Sequence, residues 1–183
     1  MKFKLLLIST IVFSFLISCS ENKSEKNTST SPSIQWQKSF GGYYDDVAYS
    51  IQQTSDSGYI AAGYSASNDG DVTENYGKLD IWVVKLNSAG IIRWQKTLGG
   101  SSNEQARSIQ QTNDGGCIVA GYSGSNDGNI IGNKGGYDCL IVKLDPFGKI
   151  LWQKSFGGAM NDYAYSIQQT NDDGYVVAGS TGS

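Results

Sequence analysis

The chain has 183 residues, with 14 Lys and Arg against 17 Asp and Glu, so its formal net charge at pH 7 is −3. This weak charge provides no strong field for binding nucleic acid, and we expect no nucleic-acid partner. The sequence contains no His, which excludes Ser-His-Asp and Cys-His nucleophiles and any zinc site built on imidazole. The 23 Gly and only 2 Pro are typical of short strands joined by many tight turns.

The N-terminal segment has the composition of a signal peptide. Two lysines lie within Met1–Lys4, and a run that is apolar except for Ser and Thr extends from Leu5 to Ile17. A membrane-spanning helix needs about 20 apolar residues, so this shorter run fits the central region of a signal peptide instead. We therefore predict a signal peptide over residues 1–18.

The end of this segment, Leu16-Ile17-Ser18-Cys19, resembles the lipobox of bacterial lipoproteins. The resemblance implies that Cys19 carries a lipid, becomes the mature N-terminus and anchors the chain to a membrane of the cell envelope. Ser20 follows where an aspartate would signal retention in the inner membrane. This implies the outer membrane and leaves the leaflet open. An ordinary secretory signal with an incidental Cys is the alternative interpretation.

Residues 19–33 are predicted to form the lipidated Cys and a flexible tether. From Ser20 to Ser33 the sequence reads SENKSEKNTSTSPS, which is polar and contains no aromatic residue. Such a segment cannot bury a core, and it holds a folded domain away from a membrane surface.

From residue 34 onward the sequence repeats with a fixed period. Trp-Gln-Lys begins at Trp36, Trp94 and Trp152, and the two equal spacings give the period (94 − 36 = 152 − 94 = 58). An Ile-Gln-Gln-Thr motif keeps the same offset in each copy. A period of this length indicates a repeat architecture. The units are residues 34–91, residues 92–149 and a partial unit at residues 150–183.

Each full unit contains four short strand patterns and no window with helical periodicity. They form two candidate hairpins whose turns contain Gly with Asp or Asn, and we expect that Gly to be left-handed in each turn. Consecutive apolar residues, such as Ile81 to Val84, predict sheets that are buried on both faces. The predicted strands are Ala48–Thr54, Tyr59–Ser65, Asp80–Leu86 and Ile91–Leu98, then Ala106–Thr112, Cys117–Ser123, Asp138–Leu144 and Ile150–Phe156.

The predicted fold class is therefore all-β, with antiparallel four-stranded sheets that we interpret as the blades of an incomplete, open β-propeller. A β-solenoid is the rival architecture, but its repeats are usually shorter.

Residues 34–183 also resemble a known family. The pattern G-G-x-x-x-D/E-x-A-x-S-I-x-x-T-x-D-x-G-Y-x-x-A-G, followed by D-x-x-x-V-K-L-x-x-x-G-x-x-x-W-x-K, is similar to the β-propeller repeat of bacterial surface lipoproteins, of the seven-bladed type. Two departures are local: Cys117 stands where the other units have Tyr, and Glu104 stands where they have Asp. The resemblance implies a fold and an extracytoplasmic setting, and it implies no activity.

The units are too few to close a propeller, which needs about 4–8 blades. Residues 34–183 hold about two and a half units, which would leave apolar faces and sheet edges uncovered. We favour a non-functional fragment of a larger repeat protein over copies that self-associate into a ring through exposed blade edges. In a third arrangement, the half unit at residues 164–180 pairs with the lone first strand at residues 34–40 as an incomplete third blade.

Acidic residues recur at fixed positions of the repeat. Because such residues serve the fold that the units share, we interpret them as turn caps that accept backbone hydrogen bonds. A catalytic carboxylate pair needs two different environments, and repetition argues against that. We therefore predict no enzymatic activity and no catalytic residue. The recurring residues are Asp46, Glu104 and Asp162; Asp56, Asp114 and Asp172; and Asp80 and Asp138.

Two loops are candidates for binding calcium, the one cofactor that the sequence suggests. Oxygen ligands on alternate residues beside a Gly turn suit Ca²⁺, but the spacing differs from an EF-hand loop and no bidentate Glu follows. We favour plain Asn/Asp/Gly turns and no metal site. The calcium candidates are Asn68, Asp69 and Asp71 with Asn126, Asp127 and Asn129.

The recurring Trp36, Trp94 and Trp152 are predicted to pack in the core or between units rather than to stack on sugars. Cys117 and Cys139 begin the second and third strands of their unit. Antiparallel pairing would place them at opposite ends, beyond the roughly 7 Å Cα separation that a disulfide tolerates. We therefore predict free, buried thiols and no disulfide.

Positions that differ between the units are where a specific ligand contact would lie, although drift produces the same variation. We expect a cell-envelope lipoprotein, held to the membrane by its lipid, that acts as a non-enzymatic scaffold or binding module for a protein or glycan partner. One alternative is a glycan-binding or glycan-active propeller, and another is a purely structural repeat in a larger assembly. The variable positions are Tyr43, Tyr44, Trp82, Arg93, Arg107 and Lys134.

Overall fold

A computed structural model of this protein describes residues 2–8, 14–20 and 32–182. Within these ranges the chain forms β-strands joined by turns and loops, without a helix, so the predicted all-β class is confirmed. No helix long and apolar enough to cross a membrane occurs in the described ranges. The strands are β1 (Lys2–Ile8), β2 (Ser14–Ser20), β3 (Ser33–Phe40), β4 (Asp46–Gln53), β5 (Tyr59–Ser65), β6 (Asp80–Leu86), β7 (Ile92–Leu98), β8 (Glu104–Gln111), β9 (Cys117–Ser123), β10 (Asp138–Leu144), β11 (Ile150–Phe156), β12 (Asp162–Gln169) and β13 (Tyr175–Thr181).

Strands β4 to β7 form a first four-stranded antiparallel sheet, and β8 to β11 form a second. Both follow the order of the chain, as the two-hairpin pattern predicts. Strands β12 and β13 form a two-stranded antiparallel sheet, here called the half-sheet, which repeats the first two strands of a unit. Among the described strands, none of these sheets closes on itself.

The N-terminal strands make a separate sheet. Strand β1 pairs antiparallel with β2 and parallel with β3. The incomplete third blade built from residues 34–40 and 164–180 is therefore wrong, because β3 pairs with β1 and the half-sheet contains only β12 and β13.

The predicted signal peptide and tether lie partly outside the described residues, which omit residues 1, 9–13 and 21–31. The backbone of residue 19 belongs to β2. The side chain of Cys19 lies outside the described part of the structure, so its lipidation remains a prediction.

The first sheet, the second sheet and the half-sheet are stacked face to face. The central strands β5, β6, β9 and β10 are buried on both faces, as predicted, whereas β11 is largely exposed. Successive residues of a strand face opposite neighbours, which explains the unbroken apolar runs. The interface between the two four-stranded sheets includes Ile60, Ile81, Val83 and Leu98 on one side and Ile109, Val119, Leu140 and Val142 on the other. The second sheet contacts the half-sheet through Ile118, Ala120, Ile141, Ala164 and Ile167.

In the structure each sheet forms one unit: β4–β7 is the first, β8–β11 the second and the half-sheet the third, so these units are shifted along the chain relative to residues 34–91, 92–149 and 150–183. The first strand of each unit, namely β4, β8 and β12, lies beside the corresponding strand of the next unit; we call these the inner strands. The backbone N–H of Ile109 donates to Ser50 Oγ (3.1 Å), and that of Gln111 donates to Gln52 Oε1 (2.5 Å). Equivalent bonds of 3.2 and 2.6 Å join β8 to β12. The repeated Ser-Ile-Gln-Gln sequence therefore provides the connection between units.

Candidate functional site on the inner strands

Each inner strand contains a bulge at the same repeat position. In β4 the register with β5 shifts between Ala48 and Ser50, so Tyr49 is an extra residue in the strand. Arg107 holds this position in β8, and Tyr165 holds it in β12. Bulges re-aim side chains and are over-represented next to functional sites. At this position the units share a geometry and differ in chemistry.

Each bulge lies opposite a glycine on the neighbouring strand, and the backbone can approach this closely only because the glycine has no side chain. A Cβ on Gly63 would lie 1.7 Å from the carbonyl oxygen of Val47, and the equivalent distances are 1.9 Å at Gly121 and 2.0 Å at Gly179. No side chain fits at such separations, so the glycine that follows Ala in β5, β9 and β13 is required by the bulge.

The bulge residues are linked by aromatic rings into one continuous row. The guanidinium carbon of Arg107 lies 4.0 Å from the ring centroid of Tyr49 and 5.6 Å from that of Tyr122. Tyr122 meets Tyr163 edge to face at 4.9 Å between centroids, and Tyr163 stacks on Tyr165 at 6.2 Å. These five residues, here called the tyrosine–arginine row, include members from all three units.

The row is partly open to solvent. Tyr49 is 43% exposed and Tyr165 is 51% exposed, whereas Arg107 is half-buried. Arg107 Nη2 donates to Gln105 Oε1 at 2.9 Å, and its Nε is buried and has no hydrogen-bond acceptor among the described residues. The guanidinium is therefore held in place while part of its hydrogen-bonding capacity is unused.

The hydroxyl group of Tyr122, at the centre of the row, stays protonated at neutral pH. Burial raises the pKa of Tyr122 above its usual value, and the nearby Arg107 opposes this shift. Burial also raises the pKa of Tyr64, whose ring contacts Tyr49. The site thus combines a cation between aromatic faces with phenol hydroxyl groups, which suits binding of an anionic group and of flat, apolar ring surfaces.

Of the variable positions predicted to contact a ligand, only Arg107 lies in the row. Trp82 is buried, and its Nε1 donates to Gln95 Oε1 at 2.8 Å. The remaining four are exposed: Tyr43, Tyr44, Arg93 and Lys134.

The recurring carboxylates at the start of the inner strands hold the Gly-Gly turn that precedes them. Asp46 Oδ2 accepts the N–H of Gly42 at 2.8 Å, and Glu104 Oε2 accepts that of Gly100 at 2.9 Å. Asp162 makes the equivalent bond at 3.0 Å. These carboxylates serve the geometry of each unit.

The second recurring set lies in the turn between the first two strands of each unit. Asp56 forms an ion pair with Lys85, and Asp114 forms one with Lys143, both at 2.8 Å. The lysine hydrogen bond is the main reason that the pKa of Asp114 falls to about 2 and that of Asp56 falls well below its usual range. Asp172 accepts hydrogen bonds from Thr170 and Gly174.

The third recurring set of carboxylates, Asp80 and Asp138, is buried between neighbouring sheets. Asp80 Oδ2 accepts the N–H of Tyr76, and Asp138 Oδ2 accepts that of Lys134. The Oδ1 atom of each is buried and has no partner within the described residues. Burial, with a smaller contribution from the Glu104 charge, raises the pKa of Asp80 to about 6.

The loops proposed for calcium are turns around Gly70 and Gly128, whose φ angles are 62° and 64°. Asp69 Oδ1 and Asp127 Oδ1 each accept a backbone N–H, at 2.8 Å, from the segment before the inner strand. No group of three or more His, Cys, Asp or Glu arranged to hold a metal occurs in the part of the chain that the structure describes. Further candidate oxygens accept backbone N–H groups in the same region: those of Asp71, Asn126 and Asn129.

The recurring tryptophans connect one unit to the next. Trp36 Nε1 donates to Ser88 O at 3.2 Å, and Trp94 Nε1 donates to Pro146 O at 2.9 Å, in each case in the last turn of the following unit. Trp152 is 36% exposed. The first two tryptophans therefore pack between units.

The two cysteines of the second unit are free. Register places Cys117 opposite Leu144 and Cys139 opposite Tyr122, so the thiols lie at opposite ends of the β9–β10 pair. Cys117 is buried, and burial raises its pKa to about 12, whereas Cys139 is only half-buried. The expectation of two buried thiols is therefore wrong for Cys139.

One turn differs from its prediction. The expected left-handed glycine is present at Gly90 (φ 70°), but in the turn before β5 the left-handed residue is Ser57 (φ 63°). Gly58 is needed instead for close approach, because a Cβ there would lie 2.3 Å from the carbonyl oxygen of Leu86.

Four members of the row were not predicted as site residues from the sequence: Tyr49, Tyr122, Tyr163 and Tyr165. A signal for the bulge position was present: in Ala-x-Ser the flanking residues stay constant while the central one changes from Tyr to Arg to Tyr. The contacts between units were not visible, because they depend on how the inner strands lie side by side.

Comparison with known proteins gives no identity, since no protein-family profile and no curated protein sequence matches this chain. Its function is therefore inferred from the residues themselves.

Proposed function

We propose that this protein is a lipid-anchored, non-enzymatic binding module of the bacterial cell envelope, and that its ligand binds along the tyrosine–arginine row. The observation that carries the proposal is Arg107, held 4.0 Å from the Tyr49 ring at a bulge. The same position holds Tyr in the other two units, so the shared fold does not require an arginine there.

We also propose that the units are blades of a β-propeller. Four antiparallel strands in each of the first two units, central strands that are buried on both faces, and inner strands bonded side by side are the features expected of stacked blades. In such an arrangement the inner strands surround the axis, where side chains from several blades converge on one ligand.

The ligand class that fits this chemistry is an acidic glycan. A guanidinium binds a carboxylate with two parallel hydrogen bonds, and tyrosine rings pack against the apolar faces of sugars. The whole chain has a net charge of only −3. Attraction to a negative ligand therefore depends on the local arginine rather than on a broad basic surface.

Anchoring at the envelope is supported by the sequence alone. The segment Leu16-Ile17-Ser18-Cys19 resembles a lipobox, and the polar residues that follow it suit a tether. Metabolic labelling with a palmitate analogue tests this part: the wild-type chain incorporates the label, and a Cys19→Ser variant does not. Incorporation that persists in the variant contradicts lipidation at Cys19.

Glycan binding is first tested with the full chain in detergent micelles on an array that pairs acidic glycans with their neutral analogues. The affinity of each glycan that binds is then measured by titration calorimetry. An Arg107→Gln variant loses a charge-assisted contact that is worth about 1.5–3 kcal/mol, so we expect at least tenfold weaker binding of the acidic glycans by titration calorimetry. Binding of the neutral analogues should change little, because they make no ion pair with the guanidinium.

The matched control is Arg93→Gln, which removes the other arginine of the chain, an exposed residue on β7. It should bind like the wild type. Thermal melts of both variants separate a binding effect from unfolding. The proposal fails if no acidic glycan binds, or if folded Arg107→Gln protein keeps its affinity.

A further inference from the structure

One end of the stacked sheets carries the turns between the third and fourth strands of the first two units. These turns, here called the outer turns, are residues 87–91 and 145–149. Trp36, near the start of β3, donates to Ser88 O at 3.2 Å, and Trp94, near the start of β7, donates to Pro146 O at 2.9 Å. The two outer turns and the starts of β3 and β7 therefore lie at the same end of the fold.

The outer turn of the second unit has a well-held apolar tip. Phe147 is 83% exposed, the highest value among the large apolar side chains of the described residues. Asp145 Oδ1 accepts the backbone N–H groups of Phe147 and Lys149 at 2.8 and 2.9 Å. The turn also rests on the Trp94 ring, which would lie 2.8 Å from a Cβ on Gly148. The backbone of the tip is thus fixed while the Phe147 ring faces solvent.

The exposure of this tip belongs to its position in the unit. The first unit is covered by the second, and its residues at three such positions are exposed all the same: Ala89, Ile91 and Arg93. The equivalent positions of the second unit are exposed as well, and they hold Phe147, Lys149 and Leu151. Packing between units therefore does not require apolar residues at these positions.

Five of these side chains form a mixed apolar and basic surface, here called the outer-turn surface. In the fourth strand of each unit the register shifts beside the outer turn, so Arg93 and Leu151 are extra residues in a bulge. Apolar side chains beside long basic ones are typical of proteins that lie on a bilayer, because the apolar groups enter the lipid and the basic groups bind lipid phosphates. The outer-turn surface consists of Ile91, Arg93, Phe147, Lys149 and Leu151.

The chain that leads from the predicted lipid enters the fold at this same end. Strand β3 begins at Ser33, three residues before Trp36. Cys19 lies 14 residues before Ser33 (33 − 19 = 14), and 14 extended residues span at most about 50 Å. A lipid on Cys19 therefore keeps the end with the outer turns within about 50 Å of the bilayer.

We propose that the outer-turn surface docks on the lipid bilayer, with the Phe147 ring inserted among the lipids and with Arg93 and Lys149 on lipid phosphates. This inference rests on the proposed function, because the lipid at Cys19 brings this end of the fold to the membrane. Attachment to the same bilayer makes docking an intramolecular step, so a contact that is weak on its own is sufficient. Docking then holds the fold in one orientation on the membrane.

The test uses the mature protein in phosphatidylglycerol-containing vesicles, after mass spectrometry has verified the lipid at Cys19. A photo-crosslinking side chain is introduced by Phe147→benzoylphenylalanine, and lipid adducts are counted after irradiation. The matched control is Tyr43→benzoylphenylalanine, because Tyr43 is 77% exposed and follows the opposite end of β3. We expect at least tenfold more lipid adduct from position 147 than from position 43.

The contribution of single side chains is measured with a reporter in the other outer turn, Ile91→benzoylphenylalanine. Phe147→Ala should lower lipid crosslinking from this reporter at least threefold, because it removes the largest apolar group of the surface. Lys149→Gln should lower it up to about fivefold, and by less in neutral phosphatidylcholine vesicles, because its partner is an anionic headgroup. Tyr43→Ala should leave it unchanged. Melting temperatures should stay constant, since all three side chains are exposed.

Three results overturn the proposal, and they can be told apart. A lipidated protein that crosslinks lipid equally from positions 147 and 43, or from neither, excludes docking and leaves the lipid anchor intact. Crosslinks from position 147 to a second copy of the protein, in place of lipid, assign the surface to self-association. A mature protein without lipid at Cys19 removes the anchor itself, and the docking proposal with it.

Discussion

Replacing Asp80 by Asn tests the electrostatics of the interface between the two four-stranded sheets. The side chain of Asp80 has no exposed surface, and its Oδ1 has no hydrogen-bond partner among the described residues. Burial, and to a smaller extent the charge of Glu104, raises its pKa from 3.8 to about 6. At pH 7 the carboxylate is therefore ionised in surroundings that disfavour the charge.

A rise of about two pKa units corresponds to about 3 kcal/mol at 25 °C, which is an upper bound for the destabilisation at pH 7. Between pH 3.8 and about 6 the folded protein binds a proton that the unfolded chain does not. Stability is thus gained as the pH falls through this window and lost as it rises. Asn cannot ionise, and its side-chain oxygen still accepts the N–H of Tyr76.

We expect Asp80→Asn to raise the free energy of unfolding by about 1–3 kcal/mol at pH 7 and to change it little at pH 4. Urea titrations of the full chain, followed by tryptophan fluorescence from pH 4 to pH 7, measure this difference. Asp71→Asn is the matched control, because Asn129 already makes the equivalent bond in the second unit, at 2.9 Å. A loss of stability at pH 7, or an equal gain at both pH values, refutes the reasoning.

The carboxylates that pair with lysine do not change the stability of the fold between pH 3.8 and about 6, the range in which Asp80 acts. Asp114, with its pKa lowered to about 2 by Lys143, and Asp56, with its pKa lowered in the same way by Lys85, stabilise the fold above their unfolded pKa of 3.8. Their contribution is lost only as the pH falls below that value towards the folded pKa, so the two effects occupy separate pH ranges.

Three further changes probe the contacts between units, each measured as the free energy of unfolding in urea. Gln110→Ala removes the side-chain acceptor of a backbone N–H of the next inner strand, so the free energy of unfolding should fall by about 1 kcal/mol. Gln168→Ala, at the exposed copy of this position, should leave it almost unchanged. Equal decreases for the two variants would contradict the role of this bond. Trp94→Ala should lower the free energy of unfolding by about 2–4 kcal/mol. Trp152→Ala should lower it by less than half as much, because Trp152 covers no turn of a following unit among the described residues. The reverse order would be inconsistent with packing between units. Gly121→Ala should destabilise by more than about 2 kcal/mol, because its Cβ would meet a carbonyl oxygen at 1.9 Å; near-wild-type stability would show that the bulge relaxes.

Most of the fold could be predicted from the sequence because strand pattern and repeat reinforce one another. Strands Tyr59–Ser65, Asp80–Leu86, Cys117–Ser123 and Asp138–Leu144 have the predicted bounds. The inner strands begin two residues earlier than predicted, at Asp46 and Glu104. Their first residues are polar, and only the structure shows that these side chains hold the preceding turn.

The candidate site was less accessible to sequence reasoning. Arg107 stood out because it differs between units, but its partners Tyr49 and Tyr122 belong to different sheets. A bulge interrupts the alternation of side chains on which strand prediction depends, so the face on which these side chains lie could not be predicted. The parallel pairing of β3 with β1 was equally hidden, because it joins segments outside the repeat.

The bonds between inner strands give the array of units a direction. Each unit offers Ser and Gln side-chain acceptors on one side and backbone N–H donors on the other, so units join head to tail in one sense only. Insertion or deletion of one whole unit in register would leave the same Ser and Gln bonds at every junction. Such a chain can lengthen or shorten by gene duplication and recombination without evolving a new interface.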